Sequence, residues 1–196
     1  MNTPTRAVFL DRDGVLIEDV DLLTETSQIC ILPGVPQALN LLRAGGFGLF
    51  VVSNQTVVAR GLLTEAEVEH MNEEINRQLA RASSGAGIDQ FYFCPHHPKA
   101  TDLAYRLDCD CRKPRPGLLL QAAREHALSL PSSFMVGDRI TDIIAGASAG
   151  CRTILVQTGR HDAPPIETVE SIDPEIRPDC TCAGLREAAE WILKQP

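Results

Sequence analysis

Asp11 and Asp13 stand two residues apart at the end of the apolar run Ala7-Val8-Phe9-Leu10, and Gly14 follows them. Such a run reads as a buried strand, and in an open α/β sheet the carboxyl ends of strands are where ligands bind. Carboxylates at that edge, with no lysine beside them, suit a hard, oxygen-seeking cation such as Mg²⁺. Taken alone, the pair is equally compatible with a surface turn closing a strand. Other polar groups follow apolar runs further on: Ser53-Asn54-Gln55, Gly137-Asp138-Arg139 and Gln157-Thr158-Gly159. Together they suggest phosphoryl transfer. Asp11 is placed as a nucleophile toward phosphorus and Asp13 as the acid that protonates the leaving oxygen, then as the base for water. Ser53 and Asn54 would donate to phosphoryl oxygens, and Lys113 would supply fixed positive charge. Asp138 would complete a Mg²⁺ site with the Asp11 carboxylate and the Asp13 carbonyl.

The elements that must position these groups alternate along the chain. Strands are expected at Ala7 to Leu10, Phe47 to Val52, Ile88 to Phe93, Ser133 to Val136 and Thr153 to Val156. Helices are expected at Val35 to Ala44, from the capping box Thr64-Glu65-Ala66-Glu67 to about Ser83, at Gly117 to Ala127, Asp142 to Ala149 and Leu185 to Lys194. The run Asp162 to Pro178 reads as loop, and Cys180 to Cys182 as strand-like. This order implies βαβ crossovers and an α/β, Rossmann-like three-layer core with a mainly parallel sheet and no large cap domain. In a parallel sheet the strand ends share one edge, so the polar groups converge.

A chain of 196 residues, 44% hydrophobic and 22% charged, fits a single domain spanning 1–196. No stretch approaches the ~20 continuous apolar residues of a membrane span, and the N-terminus has no signal-peptide pattern. A cytoplasmic protein without membrane partners is expected. A net charge of −8 argues against a nucleic-acid partner, although Arg112, Lys113 and Arg115 could together hold one anion. A monomer is expected.

Of the seven cysteines, Cys94, Cys109 and Cys111 group with His96. Three thiolates and an imidazole make a closed tetrahedral zinc set with no position left for substrate, hence a structural site, in an insertion at about 94–116. The spacing alone leaves His97 as a competing ligand. Cys111 directly precedes Arg112 and Lys113, so a metal there would clamp the base of a loop of about twenty residues and fix the two cations. Cys30 and Cys151 read as small apolar fillers, and Cys180 and Cys182 as free thiols sharing a face. His70 and His126 read as surface residues, and His161 as a weaker candidate for approaching the site.

The order Asp11-x-Asp13-Gly14, Ser53-Asn54, Lys113-Pro114 and Gly137-Asp138-x-x-x-Asp142 resembles the four motifs of the haloacid dehalogenase superfamily. Asp-Arg-Asp-Gly, Ser-Asn-Gln, Cys-Pro-His-His, Cys-x-Cys-Arg-Lys-Pro and Gly-Asp-Arg-x-x-Asp further resemble its D-glycero-D-manno-heptose 1,7-bisphosphate 7-phosphatase branch, related to histidinol phosphatases. The resemblance runs from about residue 6 to the C-terminus. It implies a Mg²⁺-dependent phosphomonoesterase acting on a small phosphosugar through an aspartyl-phosphate. Asp11 would be nucleophile, Asp13 acid/base, Ser53 and Lys113 phosphoryl stabilisers, Arg112 a substrate-recognition residue and Asp138 a Mg²⁺ ligand. Arg139 would contact substrate or metal, and Asp142 would orient Lys113 or a metal-bound water. The resemblance also implies zinc at Cys94, His96, Cys109 and Cys111, choosing His96 over His97. Two departures bear on the leaving group: Thr56-Val57-Val58 replaces a glycine-containing segment before Ala59-Arg60-Gly61, and Asp21-Leu22 replaces Gly-Tyr. Valine does not readily take positive φ, so the loop after Ser53 must differ or the glycine is dispensable. The rival readings are a histidinol-phosphate or other phosphosugar phosphatase, and a non-catalytic phosphosugar-binding or zinc-stabilised interaction protein.

Overall fold

The central strands are apolar on both sides, and that dictates a sheet covered on both faces. In the computed structural model, which describes residues 6–160 and 176–196, the strands are β1 (Ala7–Leu10), β2 (Gly48–Asn54), β3 (Gln90–Cys94), β4 (Phe134–Gly137), β5 (Arg152–Val156) and β6 (Cys180–Cys182). The helices are α1 (Val35–Ala44), α2 (Thr56–Ala59), α3 (Glu65–Ala82), α4 (Gly117–His126), α5 (Ile140–Ala149) and α6 (Leu185–Ile192). All strand pairs are parallel, in the order β3-β2-β1-β4-β5-β6. Val8, Leu10, Leu49, Val51 and Val136 face a core shared with α1, α3 and α6. Phe9, Phe50, Val52 and Met135 face a second core under α4 and α5. This is the three-layer core expected.

The chain leaves β1 toward β2 and β3 on one side, then returns to place β4 on the other side of β1. The strand order therefore reverses between β1 and β4, the kind of switch point at which open α/β sheets bind ligands. Asp11 follows β1 and Asp138 follows β4, with Asp11 N still donating to Val136 O at 2.9 Å.

Several local expectations shift. The capping box at Thr64 forms, with Thr64 Oγ1 accepting from Glu67 N at 3.2 Å and Glu67 Oε2 accepting from Thr64 N at 2.7 Å. The helix expected from Asp142 instead begins at Ile140. Asp142 is its third residue, and Oδ2 accepts from Arg139 N at 3.0 Å. Thr56-Val57-Val58 is helix α2 rather than loop, with Val57 and Val58 packed on Val68. The left-handed residue comes later, at Gly61 with φ 68°, so the valines need no positive φ. Asp21 takes the left-handed conformation itself, at φ 70°, which aspartate tolerates better than most residues. Cys30 is exposed, not an apolar filler, whereas Cys151 is buried. His126 is exposed but engaged: its Nε2 lies 3.1 Å from Tyr92 Oη, and its ring centroid 4.8 Å from that of Phe50. His161 and most of the expected loop from Asp162 lie outside the described residues.

Candidate active site

Strand ends bring the groups together. Asp11 (9% exposed), Ser53, Lys113, Asp138 and Asp142 are all buried. Lys113 Nζ lies 2.9 Å from Asp11 Oδ1 and 2.6 Å from Asp142 Oδ1, and it donates to Val52 O at 2.7 Å. One lysine thus meets a cluster in which carboxylate oxygens of Asp11, Asp138 and Asp142 lie within 4.8 Å of one another. Burial, reinforced by Asp142, Asp138 and Asp13 and opposed by Lys113, pushes the Asp11 carboxyl up to about 8. Burial and Asp142 push Asp138 up to about 6. Three buried acids facing one ammonium leave an excess of negative charge that a divalent cation would relieve.

The surroundings of Asp138 fit such a cation. Its Oδ2 accepts from Arg160 N at 2.7 Å, while its Oδ1 is buried without a hydrogen-bond partner. A Cβ at Gly159, or at the left-handed Gly14, would run into the same carboxylate. Both glycines are therefore required by close approach. Gly159→Ala is expected to shift Asp138, weakening Mg²⁺ binding about tenfold or more while leaving the sheet intact; calorimetric titration with Mg²⁺ and circular dichroism check this.

Asp11 and Asp138 both bind protons more tightly folded than unfolded. Their contribution to stability is full below the ordinary carboxyl value of 3.8 and is lost as pH rises through about 6 and about 8. Mg²⁺ must compete with those protons. It is expected to raise the thermal midpoint more at pH 8 than at pH 6, and equal shifts at the two pH values would contradict that assignment.

The remaining candidates fall into two groups. Asn54, expected to bind substrate, has both ends of its amide engaged by the Lys113 backbone, Nδ2 donating to the carbonyl and Oδ1 accepting from the N–H, each at 3.0 Å. It tethers the lysine loop to β2. Ser53 Oγ accepts from Gln55 Nε2 at 3.2 Å. Arg112 Nη1 donates to His96 O at 3.1 Å. Arg139 pairs with Asp19 at 3.1 Å, and Arg160 pairs with both Asp19 (3.0 Å) and Asp21 (2.9 Å). The loop after β1 is thus latched to the residues flanking Asp138. That latch leaves no local signal, because its partners lie more than a hundred positions apart.

Asp13 turns aside from the carboxylate cluster. Its oxygens accept from Arg12 Nε and Nη2, each at 3.1 Å, and from Gln55 Nε2 at 3.1 Å. Neither Arg12 nor Gln55 was picked out from the sequence.

The insertion after β3 assembles a second cluster. Cys94, the last residue of β3, has its Sγ 2.9 Å from that of Cys111 and 3.5 Å from that of Cys109, while Cys109 and Cys111 are 3.2 Å apart. His96 Nδ1 lies 3.3 Å from Cys111 Sγ and 3.7 Å from Cys94 Sγ. The donor set is soft and close to the spacing of about 3.7 Å that a tetrahedral zinc with Zn–S near 2.3 Å requires. Hydrogen bonding with Cys94 foremost draws the Cys111 thiol down to about 5, the direction a metal-binding thiolate needs. His97 is not in the cluster. Cys180 and Cys182 Sγ lie 3.6 Å apart on edge strand β6, sharing a face as the spacing implied.

A family model described as "HAD-hyrolase-like" matches residues 110–188. The chain is 40% identical over 188 residues to the D-glycero-beta-D-manno-heptose-1,7-bisphosphate 7-phosphatase of Escherichia coli (strain K12), spanning 95% of this chain and 87% of the relative. It is 42% identical over 156 residues to the enzyme of that name from Pasteurella multocida (strain Pm70), spanning 79% and 83%. The crystal structure of D,D-heptose 1.7-bisphosphate phosphatase from B. bronchiseptica, complexed with magnesium and phosphate, matches with a TM-score of 0.81 and 32% identity, covering 98% of this chain and 100% of that one.

Proposed function

Because the chain belongs to the D-glycero-beta-D-manno-heptose-1,7-bisphosphate 7-phosphatase family of haloacid dehalogenase-like hydrolases, we propose that this phosphatase removes the 7-phosphate of D-glycero-D-manno-heptose 1,7-bisphosphate. The observation that carries the reading is the convergence of Asp11, Lys113, Asp138 and Asp142 at the strand edge between β1 and β4. Asp11 would attack phosphorus, Asp13 would protonate the departing sugar oxygen, and the same Asp13 would take a proton from the water that frees phosphate. Ser53 and Lys113 would hold the phosphoryl oxygens, and Asp142 would keep Lys113 in place. Mg²⁺ held by Asp11, Asp138 and the Asp13 carbonyl would neutralise the cluster and polarise the phosphoryl group. Arg112 and Arg139 would meet the sugar or its retained phosphate. The segments 15–30, 54–64 and 94–116 would cover the substrate in place of a cap domain, the whole chain working as one domain.

Zinc at Cys94, His96, Cys109 and Cys111 would be structural. The lysine loop is tied at one end to that cluster through Cys111 and at the other to β2 through Asn54. Removing zinc, verified by metal analysis and followed by Mg²⁺ replenishment, is expected to lower turnover by about a hundredfold as Lys113 moves off its mark. Full activity of the zinc-free protein would contradict the clamp. The reduced thiols that zinc requires match a cytoplasmic setting. All the proposed groups come from one chain, as a working monomer needs. No helix among the described residues is long and apolar enough to cross a membrane.

Phosphate release from both anomers of the heptose bisphosphate and from histidinol phosphate, each with Mg²⁺, tests the substrate. Preference for either anomer of the heptose supports the reading. Preference for histidinol phosphate keeps the mechanism and overturns the substrate.

A further inference from the structure

Arg12 lies between the two aspartates that follow β1, and its side chain is only 2% exposed. A cation is rarely buried so completely unless it is paired. Its partner is Asp13: Nε donates to Oδ2 and Nη2 to Oδ1, each at 3.1 Å, so the guanidinium grips the carboxylate as a two-pronged fork. Behind the fork, Nη1 donates at 3.3 Å to Oδ1 of Asn72, a buried residue of α3. From another side, Gln55 Nε2 donates to Asp13 Oδ2 at 3.1 Å. Both Asp13 oxygens therefore accept from the protein, in an arrangement that suits the carboxylate and fixes its orientation.

We propose that Arg12 is a positioning residue for the second half of the reaction, holding the Asp13 carboxylate in the orientation from which it takes a proton from the attacking water. The inference rests on the reading of Asp13 as acid and base. In the first half, an Asp11 oxygen bonds to phosphorus as the bond from phosphorus to the sugar oxygen breaks. That oxygen leaves with the bonding pair and takes the Asp13 proton. In the second half, water oxygen bonds to phosphorus and gives its proton to Asp13. The Asp11–phosphorus bond breaks, its electron pair returns to the Asp11 carboxylate, and inorganic phosphate departs. The fork cannot be closed on both oxygens of a protonated Asp13, so the first half begins with Asp13 turned off Arg12. The second half begins with the carboxylate, which the fork holds.

The two halves should consequently respond differently to loss of the fork. Arg12→Lys keeps a cation and removes the two-pronged geometry. Asn72→Ala loosens the fork from behind and touches neither aspartate. Rapid-quench kinetics with Mg²⁺ and the heptose bisphosphate would follow formation and hydrolysis of the aspartyl-phosphate in each. In Arg12→Lys, hydrolysis is expected to slow about ten- to a hundredfold, giving a burst of product equal to the enzyme present. kcat falls while kcat/KM stays within about threefold, and Asn72→Ala shifts the same way by less. Should Arg12→Lys fail to fold, Asn72→Ala decides alone. Both steps slowing together, or neither slowing, in a variant with unchanged circular dichroism would overturn the proposal. Asp13→Asn separates the two levels of inference: if it turns over normally, the acid/base reading itself is wrong. If it is inactive and the Arg12 and Asn72 variants show no split, only the role of Arg12 is wrong.

Discussion

Asp11→Asn is expected to abolish phosphate release, by about 10⁴-fold or more, in a protein that folds at least as well as its parent. An amide oxygen does not form the acyl phosphate, and in the proposed mechanism Asp13, Asp138 and Asp142 are already committed to the proton, the cation and the lysine. The stability half of the expectation has its own physical ground. Asp11 is buried beside Asp142 and Asp138, and burial foremost pushes its carboxyl up to about 8 despite Lys113 at 2.9 Å. A neutral amide of the same shape removes that penalty, while Asp142 remains to pair the lysine. Without Mg²⁺, the thermal midpoint of the variant should equal or exceed that of the parent. Turnover within tenfold of the parent would place the nucleophile elsewhere.

Lys113→Met is expected to damage fold and chemistry together. The ammonium is held by Asp11, Asp142 and the Val52 carbonyl, and the residue is 3% exposed. Removing it leaves buried carboxylates facing one another without the side-chain cation that now balances them. Breaking a buried pair from one side costs about 3–5 kcal/mol. Loss of the charge proposed to meet the phosphoryl oxygens should cost about 10³-fold in turnover as well. Urea unfolding with and without Mg²⁺ separates the two effects, because a bound cation restores part of the stability by mass action and none of the lysine's contact with phosphate. A variant of unchanged stability would mean that Lys113 is not what balances the carboxylates.

The convergence of polar groups at one sheet edge was legible because its signals are local and its geometry is forced. Apolar strands alternating with helices admit few arrangements other than a parallel sheet, and a parallel sheet carries Asp11, Ser53 and Asp138 to one edge whatever the details of packing. The cysteine cluster was legible for a related reason, since Cys94 ends a strand and Cys109-x-Cys111 lies on the same insertion. What stayed hidden was decided by tertiary contact. Thr56-Val57-Val58 is a run of three β-branched residues, each a weak helix former. Burial of those valines against Val68 outweighs that propensity. α5 begins at Ile140, two residues before the expected start, and Asp142 caps it from the third helical position while also holding Lys113. Arg12 reads as an ordinary charged residue in a turn, and nothing local shows that Asn72 waits behind it. Asp19, Arg139 and Arg160 meet only because the loops after β1, β4 and β5 share an edge.

Two questions decide the mechanism: which phosphate moves and which residue receives it. Heptose 1,7-bisphosphate carrying ³²P at the 7-position, mixed with the Mg²⁺-loaded protein and quenched in acid within milliseconds, answers both questions. The expected result is radioactivity on the peptide containing Asp11, chased into inorganic phosphate at longer times, with heptose 1-phosphate as the sugar product. Label on any other residue, no labelled protein during rapid turnover, or release of the 1-phosphate would contradict it.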